Sequence, residues 1–258
     1  MHISWFHRLL DVIAPRYCPM CGSKLSVTEH PICTACRITA PYTDFERTPY
    51  DNPMARDYWG KIQVEKCAAL LFYRKDTGVS RLIHELKYYG RPDIAVAMGR
   101  ITVSKFARYG FFDGIEALVP VPLTKRRQRE RGYNQSERIA HGIAEVTGIE
   151  VETRVLKRLT FHESQTHKSH EERRENVEEA FTAVKEHMLE GKHVLLIDDV
   201  ITTGSTTVEC AKALKDIPGI KISVLSLSFT SKVFVNVNRE TPEEYRRRMN
   251  IPLSSLAD

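Results

Sequence analysis

Two carboxylates, Asp198 and Asp199, directly follow four apolar residues, Val194 to Ile197, and shortly precede the run Thr202-Thr203-Gly204-Ser205-Thr206. Carboxylates accept hydrogen bonds from hydroxyl groups. A turn of small residues with a glycine lets an anion approach the backbone N–H groups of a helix start. Together they suit a ligand with hydroxyls at one end and a phosphate at the other, a description that a ribose 5-phosphate meets. The elements needed to position them are legible around them. The short apolar run, bounded upstream by Gly191-Lys192, reads as a strand buried on both faces of a parallel sheet. The C-terminal edge of such a sheet is where open α/β folds bind ligands. Val208, Ala211 and Leu214 then predict a helix over Val208 to Lys215. A capped strand-to-helix turn with merely solvated aspartates is the plainer alternative, but here strand, acid pair, hydroxyl-glycine turn and helix follow in complete order.

A second chemistry is written near the N-terminus. Four of the six cysteines fall as Cys18-Pro-Met-Cys21 and Cys33-Thr-Ala-Cys36. Two C-x-x-C pairs joined by a short loop predict a tetrahedral Zn2+ site, with Gly22 permitting the sharp turn after the first pair. A redox dithiol needs only one pair, and two disulfides belong to secreted chains. With sulfur in all four positions the ion has no open coordination site, so its role is structural. Cys67 and Cys210 lie in apolar surroundings and read as core residues.

At 258 residues the chain can bury one α/β domain and a smaller module. Its net charge of +5 permits anionic ligands without demanding nucleic acid. No apolar run approaches the ~18 residues of a membrane span, and the first residues lack a signal-peptide layout, so cytoplasmic residence is the expectation. Trp5, Leu9 and Val12, with Phe6 and Ile13, form one stripe of a short N-terminal helix. Residues 41–60, with three prolines, read as a connector. Strands are expected over Val64 to Tyr73, Ala117 to Pro122, Arg154 to Leu159 and Lys221 to Phe229. Helices are expected over Gly78 to Tyr89, Ile94 to Tyr109 and Asn134 to Val146. This alternation indicates βαβ units and a parallel sheet.

Between the second strand and the third helix, Lys125 to Arg131 places five cations in seven positions. If its strand is parallel to the acid-bearing one, this segment leaves the sheet at the same edge. A pyrophosphate leaving group needs such cations together with Mg2+. A solvated charged face is the plainer reading of such a run. Asn134 is equally readable as a helix N-cap, a role compatible with ligand binding.

These features together carry a family resemblance. Val119-Pro-Val-Pro-Leu123, Arg127, Arg131-Gly-Tyr-Asn-Gln135, then Gln165, Arg173, Asn176 and Phe181, then Val194 to Thr206, all behind a four-cysteine module, resemble the ComF family of competence-associated phosphoribosyltransferase-like proteins. The resemblance implies a type I phosphoribosyltransferase core behind a zinc finger and, for some members of the family, a link to DNA uptake in natural transformation. Val194 to Thr206 is similar to the phosphoribosyl pyrophosphate motif of that superfamily, in which the acid pair holds the 2- and 3-hydroxyls and the turn holds the 5-phosphate. It implies a pyrophosphate loop at Leu123, Thr124, Lys125 and Arg131, supported by Asn134 and Gln135. It also implies a mobile flap over Thr160 to Asn176, which contains Arg173. Several purine-salvage members have a third aspartate where this chain has Thr202, and threonine cannot take a proton at neutral pH. His162, His167 and His170 in the flap have no further ligand pattern around them, so a metal reading is not adopted there.

The expected fold is thus α/β, a type I phosphoribosyltransferase-like parallel sheet flanked by helices with a small N-terminal zinc-finger module. Residues 1–60 are expected to hold the N-terminal helix, module and connector, 61–232 the phosphoribosyltransferase-like domain, and 233–258 a polar tail. Asp198, Asp199, Lys125 and Arg131 are the candidate catalytic residues. Thr202, Thr203, Gly204, Ser205, Thr206, Leu123, Thr124, Asn134, Gln135 and Arg173 are the candidate substrate-binding residues, and Cys18, Cys21, Cys33 and Cys36 the metal ligands. The expected function is Mg2+-dependent binding of phosphoribosyl pyrophosphate and transfer of its ribose 5-phosphate to an unidentified acceptor. The alternatives are a protein engaging single-stranded DNA and the DNA-uptake machinery, or a regulator sensing the same ligand without turnover. Acceptor and oligomeric state stay open.

Overall fold

The computed structural model describes residues 15–159 and 181–231. In chain order its elements are α1 (Thr34–Thr39), α2 (Pro53–Arg56), β1 (Cys67–Phe72), α3 (Gly78–Tyr88), α4 (Pro92–Phe106), β2 (Ala117–Pro120), α5 (Lys125–Arg131), α6 (Gln135–Thr147), β3 (Glu150–Val151), β4 (Leu156–Arg158), β5 (Phe181–Ala183), β6 (His193–Ile201), α7 (Ser205–Leu214) and β7 (Lys221–Phe229). Five strands form one sheet in the order β1-β7-β6-β2-β3, every neighbouring pair parallel. Val194 to Ile197 are fully buried, as an apolar run covered on both faces must be. The expected α/β class, a mostly parallel sheet flanked by helices with a four-cysteine module, is the observed one.

Several elements differ from expectation, three of them in the sheet and the turn that follows β6. β6 does not end at Ile197 but continues through the acid pair to Ile201, because β7 keeps pairing with it as far as Ile201 opposite Phe229. β2 pairs with β6 only from Ala117 to Pro120, opposite Val194 to Ile197. Val121 still donates its N–H to Ile197, but Pro122 has none to donate and the chain turns away. A notch therefore opens beside Asp198 and Asp199, at the C-terminal edge where one neighbour has left the sheet. Next, the expected strand at Arg154 to Leu159 is shorter and lies outside the parallel sheet. It pairs antiparallel with β5, Leu156 opposite Ala183 and Arg158 opposite Phe181. The segment between these two strands, with the expected flap and Arg173, lies outside the described residues, as do the N-terminal helix and the tail. Finally, α7 begins at Ser205, three residues earlier than the apolar spacing indicates.

Residues 41–60 are packed rather than loose. Phe45, Met54 and Tyr58 are fully buried, and the buried Asp44 carboxylate meets Lys105 Nζ of α4 at 2.8 Å. α4 and α6 cross with their backbones nearly touching: a Cβ added at Gly142 would lie 1.9 Å from the Val96 carbonyl oxygen, and one at Gly99 would lie 2.3 Å from that of Ile139. Only glycine permits this approach, and it sets the line along which the N-terminus of α6 points at the notch.

Candidate functional site

Asp198 sits half-buried and Asp199 buried in the notch. Asp198 Oδ1 accepts the Asp199 backbone N–H at 2.8 Å and the Ser136 hydroxyl, from the first turn of α6, at 3.3 Å. Asp199 Oδ2 lies 3.2 Å from Lys87 Nζ, delivered by the last turn of α3. Burial, and then the neighbouring Asp199 carboxylate, raise Asp198 to about 7; the Asp199 N–H, Lys87 and Ser136 pull the other way. The pair thus presents one carboxyl poised near neutrality beside one held by a lysine.

The turn after β6 runs straight into α7. Gly204 is left-handed, with φ of 73°, and precedes the first helical residue. Ser205 N–H points at Thr203 Oγ1 at 3.4 Å, and the Ser205 and Thr203 hydroxyls are 3.0 Å apart. Asp198, Val200 and the stretch Thr202 to Thr207 line one small cavity of about 30 Å³. Asp198 and the hydroxyl turn therefore share one cleft, at the positive end of the helix dipole, with Asp199 next to it in the strand. Beneath the turn the Tyr58 hydroxyl is 2.6 Å from Thr207 Oγ1, which donates to the Gly204 carbonyl at 2.9 Å. A Cβ on Gly204 would touch the Tyr58 ring at 3.5 Å, so the aromatic ring is the floor of the turn.

The other predicted residues divide into two groups. Asn134 caps α6 by accepting the Ser136 N–H at 3.1 Å, and its Nδ2 donates to the Val121 carbonyl at 3.0 Å. It thereby ties the end of β2 to the helix that reaches Asp198. Gln135 is buried and its Oε1 accepts from the Arg131 guanidinium at 2.9 Å, which brings Arg131 to the same side. Lys125 to Arg131, expected as a loop, is instead the helix α5. Arginine and lysine are good helix formers, Thr124 caps the first turn by accepting the Arg127 N–H at 3.2 Å, and Gly132 ends it at φ of 78°. Lys125 is exposed at its start, and Leu123 and Thr124 are half-buried just before it. No hydrogen bond or ion pair among the described residues joins these three to the acid pair.

Lys87, Ser136 and Tyr58 join the site without having been candidates from the sequence. Ser136 follows two predicted residues and lies within reach of the same argument. Lys87 and Tyr58 carry no such signal, since a lysine beside an apolar helical stripe and a tyrosine in a proline-containing connector are ordinary until the fold brings them to β6 and α7.

The four cysteine sulfurs all lie within 4.8 Å of one another, with Cys21 and Cys33 Sγ 3.6 Å apart. Thiolates ~2.3 Å from one ion at tetrahedral corners would be separated by ~3.8 Å, so the cluster fits zinc. The Cys18 carbonyl accepts the Gly22 N–H at 2.8 Å, the Cys18 N–H bonds Ser23 O at 2.8 Å, and Gly22 has φ of 77°, which together close the first knuckle. Ser23 lowers the Cys21 thiol to about 6 by hydrogen bonding, while burial pushes Cys36 up.

No protein-family model matches the chain. It is 33% identical over 139 residues to DNA utilization protein YhgH of Salmonella typhi, covering 53% of this chain and 60% of that protein. It is 37% identical over 114 residues to competence protein F of Haemophilus influenzae, 44% of this chain and 50% of that one, and 29% identical over 205 residues to competence protein ComFC of Bacillus subtilis, 80% and 74%. These proteins are its homologues. The resemblance to the ComF family therefore stands, although the chain spans only about 60% of the length of the first curated relatives it matches. Among solved structures, glutamine phosphoribosylpyrophosphate amidotransferase from B. subtilis is similar over 57% of this chain and 30% of that one, with 23% identity and a TM-score of 0.39. No helix among the described residues is long and apolar enough to cross a membrane.

Proposed function

We propose that the cleft binds phosphoribosyl pyrophosphate with Mg2+ and serves a phosphoribosyltransferase-type reaction within a competence-related role. The observation that carries this reading is the shared cavity of Asp198 and the Thr202 to Thr207 turn, which sets hydroxyl acceptors beside an anion cradle. In this reading Asp198 and Asp199 accept from the 2- and 3-hydroxyls of ribose. The 5-phosphate takes the N–H groups at the start of α7 and the hydroxyls of Thr202, Thr203, Ser205 and Thr206, and Gly204 leaves room for the approach. Lys125 and Arg131 face the leaving pyrophosphate, whose charge grows as its bond to C1 breaks. Mg2+ bound together with the donor would supply positive charge that offsets part of it. In the four-cysteine module Zn2+ would cross-link two knuckles and take no part in chemistry. Residues 1–60 are then N-terminal helix, module and connector, 61–232 the phosphoribosyltransferase-like domain, and 233–258 a polar tail. Calorimetry with phosphoribosyl pyrophosphate and Mg2+ tests the reading. The wild type should bind, and an Asp198→Asn, Asp199→Asn double variant should show at least a hundredfold loss, since two charge-assisted acceptors each contribute roughly 1.5–3 kcal/mol. Equal binding by both proteins would refute it.

A second reading has its own observation. A groove of about 940 Å³ between the four-cysteine module and α3 is lined in part by Arg16, Tyr17, Lys75, Arg81, Tyr89 and Arg91. Exposed aromatic faces among cations suit a single strand of nucleic acid, with bases stacked and phosphates neutralised. The relatives' names, competence and DNA utilization, agree with such a partner. Binding of a fluorescent oligothymidine should weaken by ~0.7 log units per phosphate contact for each tenfold rise in salt, and Tyr17→Ala with Tyr89→Ala should weaken it at every salt concentration. Salt-independent binding would count against this reading.

A further inference from the structure

The four-cysteine module does not hang beside the domain. Its first knuckle is fastened to the start of α3, and the end of α3 is fastened to the acid pair. Met20, between Cys18 and Cys21, is buried, and its carbonyl accepts from the Arg81 guanidinium, with Nε at 2.8 Å. A Cβ on Gly78, the first residue of α3, would lie 3.0 Å from the same carbonyl oxygen, so the knuckle rests on the helix start itself. His30 adds a second anchor, 3.4 Å from Asp93 in the first turn of α4.

At the other end, about 14 Å along an eleven-residue helix, Lys87 Nζ meets Asp199. The Tyr133 hydroxyl donates to the Leu86 carbonyl there, which joins the end of α3 to the segment entering α6. The Arg131 guanidinium lies 5.8 Å from the Tyr88 ring and bonds Gln135, next to the Ser136 that donates to Asp198. The contacts therefore close a ring around the acid pair: Asp199, Lys87, Tyr88, Arg131, Gln135, Ser136, Asp198. α3 is the member of that ring that reaches back to the cysteines.

We propose that Lys87 and Arg81 are positioning residues, Arg81 locking α3 onto the four-cysteine knuckle so that Lys87 holds Asp199 as a fixed carboxylate for the ligand. The inference rests on the donor-binding reading of the cleft and deepens it. Two carboxylates side by side resist double ionisation, and a lysine on one of them relieves that repulsion while leaving the remaining lone pairs to accept hydroxyls. Removing Lys87 also removes a cation from a site meant for a polyanion. A rigid helix transmits the position of one end to the other, and a coupling of ordinary size changes affinity by roughly 5- to 150-fold.

The test uses the full-length, metal-loaded protein with two independent measurements. In titrations with phosphoribosyl pyrophosphate and Mg2+, Lys87→Met and Arg81→Ala should each weaken binding by about tenfold, and Lys87→Arg should restore most of it. The double variant Arg81→Ala, Lys87→Met should bind no more weakly than Lys87→Met, because Arg81 acts through Lys87. In hydrogen exchange, both single variants should speed exchange over Leu196 to Ile201, where the Asp199 N–H is bonded to Asp198, whereas Arg100→Ala, at an exposed ion pair, should not. Normal binding by Arg81→Ala, additive losses in the double variant, or unchanged exchange over that segment would each overturn the proposal. A wild type that binds no phosphoribosyl pyrophosphate but shows the coupled exchange would instead reject the donor reading and leave the coupling standing.

Discussion

Asp198→Asn should make the protein more stable and less able to bind the proposed phosphoribosyl pyrophosphate donor, with both effects largest above pH 7. Asp198 is raised to about 7 from an ordinary 3.8, first by burial and then by the Asp199 carboxylate. Between about pH 4 and pH 7 the unfolded chain has released this proton and the folded chain has not. The carboxyl therefore favours unfolding increasingly across that window and by a constant amount above it. Holding the proton costs ~1.4 kcal/mol for each pH unit of the window, a few kcal/mol in all at pH 8, and Asn, which has no proton to lose, removes that cost. For a chain of this size each kcal/mol moves the melting temperature by ~2–4 °C, so Asp198→Asn should melt several degrees above the wild type at pH 8 and close to it at pH 4. Donor binding should run the other way. Accepting ribose hydroxyls needs the ionised carboxylate, so wild-type affinity should rise from pH 6 to pH 8, and the variant should be weak throughout. Thermal melts and titrations at the two ends of this range check both halves. A variant that melts below the wild type at pH 8 would show that Asp198 is an ordinary satisfied carboxylate rather than one held at a cost for binding.

What the sequence reveals of this fold and its cleft follows from the range of the forces involved. The β6–turn–α7 unit is local: apolar run, acids, small hydroxyls and helix are consecutive, and the fold keeps them in one cleft. The four-cysteine cluster is equally local, since each C-x-x-C pair folds its own knuckle. α3, α4 and α6 are readable because their buried stripes repeat at helical spacing, as Val79, Leu82, Ile83 and Leu86 do in α3. Long-range pairings are not readable. That β6 runs on through the acid pair depends on β7 continuing opposite it and on Pro122 having no N–H to give. That Lys87 meets Asp199, and that Tyr58 lies under Gly204, depends on how distant elements dock. The cation run differs in its local form because the family resemblance implies a loop there, while Thr124, the arginines and Gly132 spell a capped helix.

Stripping the metal from the four-cysteine module should cost the chain more than the loss of a loop would. Cys18, Met20, Leu25, Ile32 and Cys33 are buried and join the same apolar core as β1 and α3. Without an ion, four sulfurs within 4.8 Å of one another have little besides weak thiol contacts to hold them, and the thiolate charges that a cation would neutralise must take up protons or move apart. One zinc ion per chain is therefore expected by elemental analysis, and Cys18→Ser or Cys33→Ser should abolish stoichiometric binding. In isolated zinc fingers the ion supplies ~10–16 kcal/mol at neutral pH. Here the module has a second source of stability, its packing on α3, so only part of that should be lost. A loss of even ~3 kcal/mol lowers the melting temperature by roughly 6–12 °C. The chelator-treated protein should melt that much lower, recover with added Zn2+, and lose the ion as pH falls and protons compete for the sulfurs. A Tm unmoved by chelation, with zinc absent from the purified chain, would leave the sulfurs as a packed thiol cluster and require that the module's grip on α3 come from Arg81, Gly78 and Met20 without help from an ion.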